Sequence, residues 1–335
     1  MAAKLPRQVR GISDRDLVKR LESGLERVEA RLASATSVTD PLATKTVNHL
    51  ILAGGKRIRP VLVLLTAGLG DAEADAVIDA ATVAELTHLA TLYHDDVMDE
   101  APTRRGVKTA HEIWGNNVAI LTGDLLFAKA SQLVARMGEK ALALQADTFE
   151  RLCLGQLHET VGPAAGEDPI EHYIQVLADK TGSLLATSAE LGVIHSGADH
   201  AWREPVREFG EKIGVAFQLI DDLIDLQDSA RGSGKTAGTD LRAQVATYPV
   251  LLLRKLAKND AEAAELLRLI DGDLTSDETL AHVVGRLREH PVTAATYDEA
   301  RRWAAAAIAA LAPLPDGQVK GALAKFAEAV VEREQ

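Results

Sequence analysis

The chain carries the pattern DDxxD twice, as Asp95-Asp96-Val97-Met98-Asp99 and Asp221-Asp222-Leu223-Ile224-Asp225, each time inside an apolar run. Leu92, Tyr93, Val97 and Met98 flank the first copy; Phe217, Leu219, Ile220, Leu223, Ile224 and Leu226 flank the second. On a helix of about 3.6 residues per turn, the first and third carboxylates of a triad share a face, and the middle one stands about 100° to the side. Carboxylates are rarely buried without a cation or another partner. Two such faces opposed across a helical bundle would set six hard oxygen donors around one cavity. That is the ligand type Mg²⁺ takes when it also binds substrate phosphates, so the pattern predicts a diphosphate clamp rather than two solvated acidic faces.

The rest of the chain is consistent with helices. Its 335 residues are 47% hydrophobic but only 4% aromatic, so the core must be built mainly from Ala, Leu, Val and Ile, and Ala and Leu are strong helix formers. Helices are expected over about 14–35, 41–53, 60–69, 73–99, 117–137, 140–161, 170–196 and 199–227. After a loop at 228–240 rich in Gly and Ser, others are expected over 249–258, 260–270, 276–288, 292–311 and 318–333. No alternating run with a hairpin turn asks for a sheet, and no composition break marks a second domain. The expectation is one all-α domain over residues 1–335, a large helical bundle around a central cavity.

A net charge of −12 argues against nucleic acid as a partner, so an anionic substrate would need bound metal and a local basic cluster. The single cysteine, Cys153, leaves no internal disulfide and suits the cytosol. The N-terminus has no signal-peptide core, and no apolar stretch reaches the roughly 20 residues of a membrane span. A soluble, cytoplasmic protein is expected.

The basic cluster is present. Gly54-Gly55-Lys56-Arg57-Ile58-Arg59-Pro60 places three cations between two helices, where glycines allow a tight turn and the proline suits a first helical turn. Arg104-Arg105-Gly106 follows the first triad closely, so carboxylates for metal and arginines for phosphate alternate within one short unit. His88 lies about two turns before Asp95, Lys180 sits in an otherwise apolar helix, and Gln218 stands three residues before the second triad. Two other patterns fail. Gly232-Ser233-Gly234-Lys235-Thr236 lacks the earlier glycine of a phosphate-binding loop, since Ser229 stands there. Glu85-x-x-His88 lacks the second such pair that a di-iron bundle needs.

Taken in order, Gly54 to Pro60, His88, the first triad, Arg104-Arg105-Gly106, Lys180-Thr181 and Phe217-Gln218-x-x-Asp221-Asp222-x-x-Asp225 resemble the trans-isoprenyl diphosphate synthases, or polyprenyl synthetases, and in particular their bacterial medium- and long-chain branch. The resemblance implies an isoprenoid synthase fold, usually a homodimer, that condenses isopentenyl diphosphate with an allylic diphosphate. It implies that Asp95, Asp96, Asp99, Asp221, Asp222 and Asp225 hold Mg²⁺. Arg104, Lys180, Thr181, Gln218 and Lys235 would line the allylic site, with Lys180, Thr181 and Gln218 nearest the chemistry. Lys56, Arg59, His88 and Arg105 would grip isopentenyl diphosphate, and Arg57 would have a lesser role. Ala90 and Thr91 are small where bulky residues floor the tunnel of short-chain members, so a product of geranylgeranyl length or longer is expected, a precursor of a quinone side chain. One departure stands out: Gln244-Val245 follow Asp240-Leu241-Arg242-Ala243 where the family commonly has Gly-Lys. The competing readings are a terpene cyclase, which needs no isopentenyl site, and a non-catalytic subunit of a heteromeric synthase, which would have lost triad or basic residues.

Overall fold

The computed structural model describes residues 5–9, 11–227 and 237–332. α1 (Arg15–Ala35) starts at Asp14, whose carboxylate accepts the N–H groups of Asp16 and Leu17 at 3.0 and 2.8 Å. Leu17, Leu21, Leu25, Val28 and Leu32 form its buried stripe. α2 (Pro41–Leu52) has Asp40 as its cap and proline in its first turn. α3 (Ile58–Ala67) and α4 (Asp75–Met98) follow. Most of α4 from Val77 to Ala90 is buried on every side, which makes it a central helix, and it packs against α1 and α3.

Next come two strands of two residues, β1 (Thr103–Arg104) and β2 (Val107–Lys108), paired antiparallel with Thr103 opposite Lys108. Arg105 and Gly106 form the turn with φ of 53° and 79°. Two positive φ values are what a type I′ hairpin turn requires, and the glycine supplies one without strain. The sequence reading had no sheet, so this hairpin is a local correction; its signal was the Arg-Gly pair, too short to carry an alternating pattern. α5 (Ala110–Trp114), α6 (Asn116–Val134), α7 (Glu139–Val161) and α8 (Pro169–Leu177) continue the chain, and α6 packs on α4.

The helix expected over 170–196 is interrupted by a π-helical turn, Ala178–Gly182, between α8 and α9 (Ser183–His195). α10 (Arg203–Asp225) is followed by α11 (Thr239–Arg242), α12 (Tyr248–Leu256), α13 (Ala261–Ile270), α14 (Asp277–Glu289), α15 (Pro291–Ala310) and α16 (Gln318–Val331). α11 begins within the stretch expected as loop.

Contacts group the chain into two compact units. The first comprises Met1–Glu150, Leu184–Gly210 and Ala310–Phe326; the second comprises Arg151–Ser183, Glu211–Ala309 and Ala327–Gln335. In the second, Leu226, Leu241, Leu253, Leu266, Val283 and Leu287 share one core cluster, and Leu219, Ile220, Leu223 and Tyr248 belong to another. Among the described residues, no helix is long and apolar enough to cross a membrane.

Close helix contact in the first unit depends on Gly192 of α9. A Cβ there would overlap the Thr66 hydroxyl and the Val63 carbonyl of α3, and Thr66 is fully buried with its hydroxyl already donated to Leu62 O at 2.9 Å. Gly192→Ala should therefore destabilise the protein by about 1–3 kcal/mol, the cost of overpacking, measured by denaturant unfolding. A change within about 0.5 kcal/mol would show that the two helices separate freely.

Candidate active site

Both triads lie at the C-terminal ends of helices, α4 and α10, and burial sorts their carboxylates in the same way. Asp95 and Asp99 are partly or fully exposed, whereas Asp96 is 1% exposed; Asp221 and Asp225 are partly exposed, whereas Asp222 is 7% exposed. The middle aspartates are spent on protein donors. Asp96 Oδ1 accepts Arg104 Nε at 2.6 Å. Asp222 takes the Tyr173 hydroxyl on both oxygens, at 3.0 and 2.9 Å, and the Tyr248 N–H at 3.2 Å. Burial raises the pKa of both carboxyls, and it also raises that of Tyr173, which stays protonated as the donor. Asp225 accepts the Thr239 hydroxyl and, at 3.1 Å, the Asp240 N–H, which ties it to the start of α11. The six residues are thus not six equivalent donors.

A divalent cation fits the first triad. Asp96 Oδ2 is buried without a hydrogen-bond partner, and the donors around it are hard carboxylate oxygens. Among the described residues, no three His, Cys, Asp or Glu side chains gather closely enough to hold an ion. Mg²⁺ commonly uses one or two carboxylates and completes its shell with substrate phosphates and water.

The basic residues of the first unit divide just as sharply. Gly54 has a φ of 88°, and a Cβ on Gly55 would press on the guanidinium groups of Arg57 and Arg105; the two glycines let the loop fold over these side chains. Arg57 caps α3 with a φ of 50°. It is 5% exposed and lies between Glu29 at 2.5 Å and Glu85 at 2.8 Å. Glu85 therefore serves as the buried counterion of Arg57. Its position in an apolar helical run was the visible signal, but its partner was not. Arg105 donates to Leu50 O at 3.0 Å and to Gly54 O. Lys56 is exposed on the loop.

Arg59 has a buried Nε with no partner. Burial, opposed by Glu85 and reinforced by Arg105, lowers its pKa to about 10, so it remains charged at neutral pH. His88 feels burial first and then Arg59, Arg105, Arg104 and Arg57, all of which drive its pKa well below 6.5. The structure thus gathers Arg59, Arg104, Arg105 and a neutral His88 near one another, in a cationic environment suited to an anion. The folded state refuses a proton that the unfolded chain accepts below about pH 6.5, so His88 costs stability as the pH falls through that value, with a slope approaching about 1.4 kcal/mol per pH unit. Burial of Asp96 and Asp222 acts in the opposite direction. The expected result is a shallower loss between about pH 6.5 and 5 in His88→Gln than in the unaltered protein, read from unfolding free energies; parallel curves would mean that His88 titrates normally.

In the second unit, Lys180 and Thr181 lie on the π-helical turn, a conformation often found at functional sites. A Cβ on Gly214 of α10 would press on Gly182 and on the Thr181 carbonyl carbon. The two glycines thus let α10 approach this turn, and Gln218 lies one helical turn further along the same face. Lys180 is paired with Glu159. Arg151, which the sequence reading missed, holds the turn: it donates to Asp179 at 2.7 Å and to Glu211 at 2.6 Å. Lys235 lies outside the described residues. Arg242, in the departing segment, pairs with Asp277 at 2.5 Å.

The accessible faces of α4 and α10 run into the triads. His88, Thr91, Leu92 and Asp95 are partly exposed at helical spacing, as are Phe217, Gln218, Asp221, Ile224 and Asp225. Ala90, expected beside Thr91 on the tunnel wall, is instead fully buried, because one residue along a helix turns the side chain by about 100°.

Residues 40–287 match the polyprenyl synthetase family model. The chain is 42% identical over 314 residues to nonaprenyl diphosphate synthase of Mycobacterium tuberculosis, covering 93% of each chain. It superposes with a TM-score of 0.85 on geranylgeranyl pyrophosphate synthase from Corynebacterium glutamicum, a structure complexed with calcium and isoprenyl diphosphate, at 41% identity over 96% of this chain and 98% of that one. With a decaprenyl diphosphate synthase from Rhodobacter capsulatus, the TM-score is 0.84 at 32% identity, covering 96% and 99%. The helical fold, the paired acidic triads and these likenesses agree, and the chain belongs to the polyprenyl synthetase family.

Proposed function

We propose that this protein is a Mg²⁺-dependent trans-polyprenyl diphosphate synthase. It condenses isopentenyl diphosphate with an allylic diphosphate to a product of geranylgeranyl length or longer, a precursor of a quinone side chain. The observation that carries the reading is the adjacency, in the first unit, of the first triad to a cationic group: Asp95 acts on Arg59, Asp96 pairs with Arg104, and Arg105 and a neutral His88 lie close to these arginines. Residues 1–335 are taken as one synthase domain, since the matched segment includes stretches of both compact units.

At the first triad Asp95, Asp99 and the unpartnered Oδ2 of Asp96 would hold metal; at the second, Asp221 and Asp225 would do so, with Asp222 fixed by Tyr173 and Tyr248. Bound there, Mg²⁺ supplies charge neutralisation of the departing diphosphate. Lys56, Arg59 and Arg105 bind the diphosphate of the isopentenyl substrate, and His88 donates a ring N–H without adding charge. Arg104 and Lys180 orient the allylic diphosphate, a role that rests for Lys235 on the resemblance alone. The Thr181 hydroxyl and the Gln218 carbonyl oxygen face the developing allylic cation, while the apolar walls exclude water. No protein nucleophile is required.

We place the enzyme in the cytoplasm as a homodimer. Ile120 and Leu121 of α6 and Leu142 and Phe149 of α7 are 40–65% exposed, an apolar surface of the kind that a second copy covers. Sedimentation as a monomer would remove that assignment. The enzymatic reading is tested by incubating the protein with Mg²⁺, labelled isopentenyl diphosphate and dimethylallyl, geranyl, farnesyl or geranylgeranyl diphosphate. Metal-dependent elongation is expected. A folded sample that elongates none of the four would overturn the reading.

A further inference from the structure

One face of α7 runs along the π-helical turn and touches it at three levels. Arg151, Gly155 and Glu159 follow one another at four-residue spacing, so they share that face. At the first level the Arg151 guanidinium donates from Nε to Asp179 Oδ1 at 2.7 Å and from Nη1 to Glu211 Oε2 of α10 at 2.6 Å, with Nη2 3.5 Å from Ala178 O. At the second, Gly155 lets the backbones meet: a Cβ there would press on Asp179 Cβ and on the Lys180 backbone nitrogen. At the third, Glu159 pairs with the Lys180 ammonium. Asp179 is the hub of the turn. It is 8% exposed, its other carboxylate oxygen accepts the Gln175 amide at 2.9 Å, and its carbonyl accepts the Ser183 hydroxyl at 2.5 Å. A π-helical turn is rare by itself, and this one is held by a residue to which the chemistry described above gives no part.

We propose that Arg151 is a positioning residue for the allylic diphosphate: by clamping Asp179 to Glu211 of α10 it fixes the π-helical turn, and with it the place of the neighbouring Lys180 ammonium. This rests on the role given to Lys180 above. Asp179 and Lys180 are consecutive, so a turn that shifts when the clamp is lost carries Lys180 with it. Arg151 and Lys180 both belong to the second compact unit, whereas Lys56, Arg59, His88 and Arg105, assigned to isopentenyl diphosphate, belong to the first. Loss of the clamp should therefore weaken one substrate and spare the other. A guanidinium suits the task because its planar fork reaches two carboxylates at once.

The test measures equilibrium binding, in the presence of Mg²⁺, of farnesyl thiolodiphosphate as an unreactive allylic analogue and, separately, of isopentenyl diphosphate alone; neither requires turnover. Arg151→Ala should weaken the allylic analogue about tenfold and leave isopentenyl diphosphate within about twofold. In a Lys180→Ala background the same substitution should cost the analogue less than about twofold, because a residue that acts through Lys180 then has nothing left to position. Arg203→Ala is the control: it breaks an ion pair of similar exposure in the first unit, with Glu190 at 2.5 Å, and should lower stability with no split between the two ligands. Arg151→Lys keeps the charge, but a single ammonium cannot bridge Asp179 and Glu211; it should give an intermediate loss, and it decides the matter in both backgrounds if Arg151→Ala fails to fold. An unchanged affinity for the analogue in the deciding variant overturns the proposal, as does an equal loss when Lys180 is absent or a loss shared by both ligands. An unaltered protein that binds the analogue and shows the expected cycle but elongates no starter keeps Arg151 as the positioning residue of a diphosphate site and sinks the synthase reading instead.

Discussion

Asp95→Ala is expected to lower kcat by about 10³-fold or more, the scale of losing electrostatic stabilisation of a departing anion, while leaving the fold and the KM for isopentenyl diphosphate nearly unchanged. Asp95 is partly exposed at the end of α4, one turn before Asp99, and when it is removed the buried Arg59 keeps Glu85, the carboxylate that acts on it more strongly. Binding of isopentenyl diphosphate is assigned to Lys56, Arg59, His88 and Arg105, which the substitution leaves in place. Asp96→Ala should act differently. It deprives Arg104 of its 2.6 Å partner and empties a buried position, so activity and stability should fall together. Steady-state kinetics across a Mg²⁺ titration, with unfolding curves for both variants, separates the two. Activity of Asp95→Ala within tenfold of the unaltered enzyme would remove Asp95 from the metal site.

Arg57→Ala should produce the largest loss of stability, about 3–5 kcal/mol, the cost of breaking a buried ion pair by removing one partner. Glu85 is 1% exposed and would be left without its principal counterion; Glu29, whose side chain is 30% exposed, can turn to water. Arg57→Lys should recover little, because a single ammonium cannot reproduce the fork that reaches Glu29 and Glu85 together. Adding Glu85→Gln to Arg57→Ala should recover part of the loss by removing the stranded charge. The measurement is the denaturant midpoint at constant m. A loss below about 1 kcal/mol would place Arg57 among ordinary surface cations, on the same footing as Lys56.

Much of this was legible in the chain. Apolar periodicity located most helices to within a few residues, because that signal acts within one or two turns. The π-helical turn at Ala178–Gly182 escaped because its composition continues the helical pattern around it. The hairpin at Thr103–Lys108 escaped because two residues per strand carry no period.

The candidate site shows the same division between local and non-local information. Sequence by itself determined that two triads of carboxylates lie on helices, that their first and third members share a face, and that a basic loop and an arginine pair accompany them. Those facts follow from helix geometry and residue chemistry, which need no knowledge of distant neighbours. Only the tertiary structure decided that Asp96 and Asp222 are spent on Arg104, Tyr173 and Tyr248, that Arg57 is structural while Arg59 two residues later keeps an unpartnered buried Nε, and that Thr91 lines an accessible face while Ala90 does not. Only it brought Arg151 to Asp179 and Glu211. A helix fixes the direction in which a side chain points, but its burial, charge state and partner are set by whatever the fold places opposite, and those residues lie up to tens of positions away in the chain.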